Sequence, residues 1–171
     1  WDLEFFSLEM QYDPIKRSLG KVFNRSPFLR KLFYSLLDLL LLRTWHVKKD
    51  VREWAKIYRK SKSEDGAINV LDAGSGYGQY TYFLSGLKIH PFVTAVDVKE
   101  EQVADCNNFF QKINRKNAVF CTADLTTFDI KNEFDLVLCV DVMEHILEDT
   151  KVFSNFYAAL KIGGMLLVST P

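Results

Sequence analysis

The sequence predicts an α/β protein: a doubly wound parallel sheet in three layers, preceded by a helical segment. Three observations carry this. From residue 66 onward, short β-rich apolar runs alternate with helical periodicities. Three glycines follow the first of those runs, where a strand would turn tightly into a helix. Residues 134–139 read as an apolar strand without polar alternation, as expected when both faces of a sheet are covered.

The 171 residues suit about one domain and can bury a real core. With 48% apolar and 26% charged residues, wholesale disorder is excluded. Eight Gly and four Pro exclude collagen-like and low-complexity chains. The formal net charge is 0, so bulk electrostatics does not favour a nucleic-acid binder. Cys106, Cys121 and Cys139 show no CxxC pair, which fits neither a zinc knuckle nor a disulfide framework and suits a reducing cytoplasm. Charge is unevenly distributed: residues 14–62 hold 14 basic against 3 acidic residues, and residues from 66 onward hold 8 against 13.

Residues 1–26 read as irregular, with Pro14, Gly20 and a breaker cluster at 24–27. The opening stretch from Trp1 is acidic and aromatic, unlike a signal peptide. The missing initiator Met suggests a trimmed chain or a fragment. Ser26 before Pro27 is a helix start, and the spacing predicts a helix over 28–45. Its most apolar run, 32–42, is too short to cross a bilayer, which needs about 20 residues. A second helix over 48–60 places Val51, Trp54, Ala55 and Tyr58 on one face. The polar stretch 61–66 marks a boundary between a helical segment, 1–65, and an α/β domain, 66–171. Within that domain, strands are expected at 68–73, 92–97, 118–122, 134–139 and 165–169. Helices are expected from 79, over 100–113 and from Asp149, and Gly163–Gly164 should turn the chain into the last strand. In such sheets ligands sit beyond the carboxyl ends of the strands.

Four strand ends carry chemistry. The first leads into Asp72-Ala-Gly74-Ser75-Gly76-Tyr77-Gly78, a GxGxG loop. A dinucleotide fingerprint, GxGxxG, would need glycine at 79, where Gln79 stands. The second ends at Asp97, whose carboxylate can accept both hydroxyls of a ribose, with Val98 beside it to pack on a flat base. The third runs into Ala123-Asp124-Leu125, where Asp124 either reads an exocyclic amine or closes an Asx turn. The fourth leads to Val140, Asp141, Glu144 and His145. Asp72, Asp97, Asp124 and Asp141, with only Lys99 nearby, suit a cation and would repel a pyrophosphate.

The ensemble resembles the class I S-adenosylmethionine-dependent methyltransferases, which have a Rossmann-like fold. VLDAGSGYG (70–78), AVDVKEE (95–101), CTADL (121–125), FDLVLCVDVMEHI (134–146) and LKIGGMLLVSTP (160–171) look like that family's motifs in order. The Glu-His pair is similar to the subgroup containing ubiquinone and menaquinone biosynthesis methyltransferases. The resemblance implies S-adenosyl-L-methionine as cofactor, S-adenosyl-L-homocysteine as product, and strand order 3-2-1-4-5. It also implies a chain cut after the fifth strand of seven. Gly74, Ser75, Gly76, Tyr77 and Gly78 would shape the loop beside the methionine part, and Asp72 would face its amino group through water. Asp97 and Val98 would hold the ribose and base. Ala123, Asp124 and Leu125 would frame the adenine, and Val140 and Asp141 would line the methyl side.

The function expected is methyl transfer to a small or lipophilic hydroxyl acceptor, with His145 as base. A non-catalytic cofactor-binding module and an aminopropyl transferase are the alternatives. Asp141, Glu144 and His145 are similar to a metal-binding Glu-x-x-Glu-His set of some relatives. The same segment also starts a helix without metal, and no metal site is assigned. The basic, apolar segment 28–60 is expected to cap the cofactor cleft. Its second reading is peripheral contact with an anionic membrane.

Overall fold

The computed structural model describes residues 26–61 and 66–170. The irregular segment expected before residue 26 and most of the expected boundary lie outside them.

Two helices come first, α1 (Pro27–Leu40) and α2 (Leu42–Ser61). Ser26 caps α1: its Oγ accepts from the backbone N–H of Phe28 and Leu29, and Pro27 occupies the first turn, where no donor is needed. The sequence placed the break between the helices near residue 46. It falls at Leu41, in extended conformation and without Gly or Pro. Asp38 ties the corner: it accepts from Lys48 Nζ across it and from Gln79 Nε2 at 2.7 Å, which joins α1 both to α2 and to the residue that follows the glycine loop.

The remaining elements are β1 (Asn69–Ala73), α3 (Gln79–Leu84), β2 (Phe92–Asp97), α4 (Glu100–Lys112), β3 (Ala118–Thr122), β4 (Phe134–Val140), α5 (Asp149–Ala159) and β5 (Leu160–Ser169). A single 3₁₀ turn, Met143–His145, precedes α5. The strands are all parallel, in the order β3-β2-β1-β4-β5, as expected. Every residue of β4 is buried, because the sheet is covered on both faces.

On one face, Leu71, Val96, Val137 and Cys139 pack with Val152, Phe156 and Ala159 of α5. On the other, Val70, Val93, Leu136 and Leu138 share a core with Val47, Val51, Trp54 and Ala55 of α2. Thus α2 fills a layer of the sandwich and does not stand off as a separate lid. Each fully buried Val, Leu or Phe among them contributes about 1.5–3 kcal/mol.

The buried side of α1 differs from its leucine-rich face. Arg30 and Tyr34 are its buried residues, while Leu39 and Leu40 are 79% and 74% exposed. Arg30 stacks over the Phe109 ring and donates to the carbonyls of Tyr77 and Asp105 and to Tyr34 Oη. The Tyr34 hydroxyl also donates to the Tyr77 carbonyl. A carbonyl turned outward by the glycine loop needs donors, and leucines offer none.

The last strand also departs from expectation. β5 begins at Leu160, directly after α5, and Gly163–Gly164 lie within it. The register with β4 jumps from Phe134↔Leu160 to Leu136↔Met165. The glycines therefore form a bulge, with Gly163 at φ +80°.

Candidate cofactor site

At the carboxyl end of the sheet, the loops after β1, β2, β3 and β4 surround a cavity of about 550 Å³. This size suits a nucleoside-sized ligand. The loop after β1 turns back at once: Gly74 N–H and Ser75 N–H both donate to the Val96 carbonyl. Gly74 adopts φ +82°, and a Cβ there would lie 2.1 Å from Val142 Cγ2. The loop after β4 therefore passes against the glycine loop at a distance only hydrogen permits.

Asp97 ends β2 and binds this loop. Its Oδ2 accepts from Gly76 N–H at 2.8 Å and its Oδ1 from Lys99 N–H at 3.0 Å. Each carboxylate oxygen keeps acceptor capacity for a ligand hydroxyl. Val98, 61% exposed, stands beside it on the cavity wall. Ala123, Asp124 and Leu125 form the wall beyond β3. Asp124 does close the Asx turn: its Oδ1 accepts from the N–H and hydroxyl of Thr126. Those two bonds hold its carboxyl below the usual range.

Beyond β4, Asp141 takes the left-handed conformation, φ +58°. That removes it from any helical turn with Glu144 and His145, although all three line the cavity. Among the described residues, no three His, Cys, Asp or Glu side chains are grouped to hold a metal ion. His145 Nε2 lies 4.0 Å from Glu144 Oε1, and its ring is half exposed.

Gly74, Gly76, Asp97, Val98, Ala123, Asp124, Leu125, Asp141 and His145 thus meet at one cavity. Asp72, Ser75, Tyr77, Gly78 and Val140 do not line it. Asp72 points toward α3, accepts from Thr81 Oγ1 at 2.5 Å and is 2% exposed. Burial pushes its carboxyl up to about 6, opposed by the Thr81 bond and helped by Asp97. Val140 packs in the core with α2, and Tyr77 faces α1. Gly78 caps α3, pressed against Phe120 and Cys106.

Sequence reasoning missed Arg43. It reaches the cavity from α2 and pairs with Asp141 Oδ2 at 2.6 Å. Lys99 is therefore not the lone cation there, and the charge argument against a pyrophosphate weakens accordingly. No local signal in the sequence links residue 43 to strand β4.

A family model described as a methyltransferase domain matches residues 64–171. The chain belongs to the methyltransferase domain family. Among curated proteins, this methyltransferase domain is similar to malonyl-[acyl-carrier protein] O-methyltransferase of Bacillus cereus, 28% identical over 72% of the chain and 45% of the relative. It is also similar to the ubiquinone biosynthesis O-methyltransferase of Bradyrhizobium diazoefficiens, 30% identical over 61% of the chain and 40% of the relative. The chain therefore spans less than half the length of these relatives. Solved structures with the same fold include coclaurine N-methyltransferase bound to N-methylheliamine and SAH (TM-score 0.56, 22% identical, covering 69% of this chain and 34% of that one). A [4+2]-cyclase also shares it (TM-score 0.57, 24% identical, covering 61% and 39%).

The family's methyl donor is S-adenosylmethionine, and the methyltransferase domain's cavity fits it on two counts. Asp97 keeps acceptor capacity for a ribose diol. A Cβ on Gly76 would meet nothing within 4 Å, so the loop is open where a ligand approaches.

Proposed function

We propose that the protein transfers the methyl group of S-adenosylmethionine to a small or lipophilic hydroxyl acceptor. The observation that carries this reading is the Gly76–Asp97 hydrogen bond at the cavity wall. It fixes a carboxylate at the end of β2, where a ribose diol would be held. Bound there, the cofactor supplies an electrophilic methyl on a sulfonium. The chain's own residues position and shield. Asp97 and the glycine loop hold the nucleoside, Leu125, Val142 and Ile146 exclude water, and Asp141 carries negative charge on the methyl side. Positioning of this kind is worth roughly 7–11 kcal/mol of barrier. His145, on the same wall, is the group to take the proton of a hydroxyl acceptor, a contribution of about 10²–10⁴-fold.

A lipophilic acceptor is supported by the corner between α1 and α2. There Leu39, Leu40 and Leu42 are each more than 70% exposed next to Arg43, which lines the cavity. Three basic residues of segment 28–60 face inward: Arg30 is buried, and Lys48 and Arg43 pair with Asp38 and Asp141. Among the described residues, Lys31, Lys49, Arg52, Lys56 and Arg59 make no ion pair, which supports contact with an anionic surface. Turnover is tested with the full-length protein, labelled S-adenosylmethionine and a panel of catechols, phenols and acyl carboxylates, with and without chelator. Transfer to a hydroxyl acceptor that falls at least 100-fold in His145→Ala supports the reading. Binding of the cofactor with no transfer to any acceptor supports the non-catalytic module instead.

A further inference from the structure

A second cavity, about 560 Å³, opens at the opposite end of the sheet, where the strands begin. One wall is the C-terminal half of α2. The other is the segment that carries the chain from α3 toward β2. Its lining combines an apolar surface, including Ala55, Phe83 and Leu87, with four cations: Arg52, Lys56, Arg59 and Lys88. No carboxylate is among the residues that line it.

Residues 52, 55, 56 and 59 fall on one face of α2. Three like charges are thus stacked along two turns, an arrangement that destabilises a helix unless an anion answers it. Among the described residues, none of the four cations makes an ion pair. Arg30, Arg43 and Lys48 on the same two helices are all engaged internally. Arg52 lies over the Phe83 ring, 5.0 Å from its centroid, and both line the cavity. The helix dipole favours a cation in the last turn, which accounts for Arg59 but not for Arg52 or Lys88.

We propose that this cavity binds an anionic amphiphile, its carboxylate or phosphate head held by Arg52, Lys56, Arg59 and Lys88 and its apolar body lying on Phe83 and Leu87. A bare anion would leave the apolar lining wet, and a neutral lipid would leave four cations unanswered. A guanidinium and ammonium cluster matches the oxygens of either head group. The site is separate from the cofactor cavity, with which it shares no lining residue.

The test is calorimetry on the full-length protein saturated with S-adenosylhomocysteine. The probes are dodecyl phosphate and laurate below their micellar concentrations, with dodecanol and inorganic phosphate as controls. Sedimentation with phosphatidylglycerol and phosphatidylcholine vesicles is the second arm. The result expected is saturable binding of either anionic amphiphile, at least 10-fold tighter than either control. It should weaken at least 10-fold in Lys56→Gln/Arg59→Gln, whose side chains are exposed, and several-fold in Leu87→Ser. S-adenosylhomocysteine affinity should be unchanged in both. Pelleting with phosphatidylglycerol vesicles alone, lost in the double variant, supports the proposal with a membrane lipid as the source. Binding of inorganic phosphate as tight as dodecyl phosphate overturns it, as does anion binding that survives the double variant. So does binding to neither monomers nor vesicles.

Discussion

Arg43 Nη2 lies 2.6 Å from Asp141 Oδ2, so a helix that precedes the sheet sets a cation on the carboxylate at the end of β4. Both side chains are about one-third exposed and both face the cofactor cavity. The pair joins the N-terminal helices to the end of β4 at the cavity and partly cancels the carboxylate's negative charge there.

That cancellation predicts a selective effect on the cofactor. Arg43→Gln removes this cation from Asp141, which favours the sulfonium of S-adenosylmethionine over the neutral thioether of S-adenosylhomocysteine. At partly solvated distances such a charge is worth about 1 kcal/mol. Calorimetry should show the ratio of the two affinities moving about 5-fold toward the sulfonium. Equal changes in both would place Asp141 away from the methyl side.

Asp97 is predicted to act twice, on ligand and on loop. The wild-type full-length protein should bind S-adenosylhomocysteine with a Kd near micromolar, about −8 kcal/mol. Asp97→Ala should cost about 1–3 kcal/mol of that. Hydrogen exchange at Gly76 should rise in the same variant, because its amide loses an acceptor 2.8 Å away. Unchanged cofactor affinity would remove Asp97 from the ribose.

Two glycines of the loop should differ in tolerance. Gly74→Ala meets Val142 Cγ2 at 2.1 Å in a left-handed conformation. Clash and strain together should destabilise by about 3 kcal/mol. Gly76→Ala carries only the conformational penalty, about 1–2 kcal/mol, because its Cβ is in open space. Adding Val142→Ala should recover part of the first loss and none of the second. Urea denaturation of the four variants checks the order.

Asp72 predicts a pH dependence. Burial raises its carboxyl to about 6, so the folded chain holds this proton more tightly than the unfolded one. The stabilisation it gives is fully present below the ordinary carboxylate value, near pH 4, and is lost as pH rises through about 6. The loss is about 3 kcal/mol at the usual 1.4 kcal/mol per pH unit. Asp72→Asn, which can still accept from Thr81, should flatten that part of the profile. Its stability relative to the parent should therefore improve from pH 4 to just above pH 6 and then level off, in denaturant titrations. A parallel pair of curves would show that Asp72 is not buried.

Beyond the sheet order, which came with the family resemblance, the sequence alone determined the alternation of strands and helices and the strand ends at which Asp97, Ala123, Asp124 and Asp141 stand. These are local matters. Hydrophobic periodicity reports burial, and a glycine loop after a strand reports a turn. The register of a parallel sheet then brings the strand ends together. Only the tertiary structure decided which of those residues face the cavity. Asp72 and Val140 lie on the same strands as the site yet point into the layer beneath α2 and α3, because side chains alternate across a strand and the covering helices settle which side is core. The break at Leu41, the buried Arg30 and the arrival of Arg43 at Asp141 likewise depend on partners distant in sequence. A salt bridge or a carbonyl awaiting a donor leaves no periodic trace in the chain, so packing alone selects it.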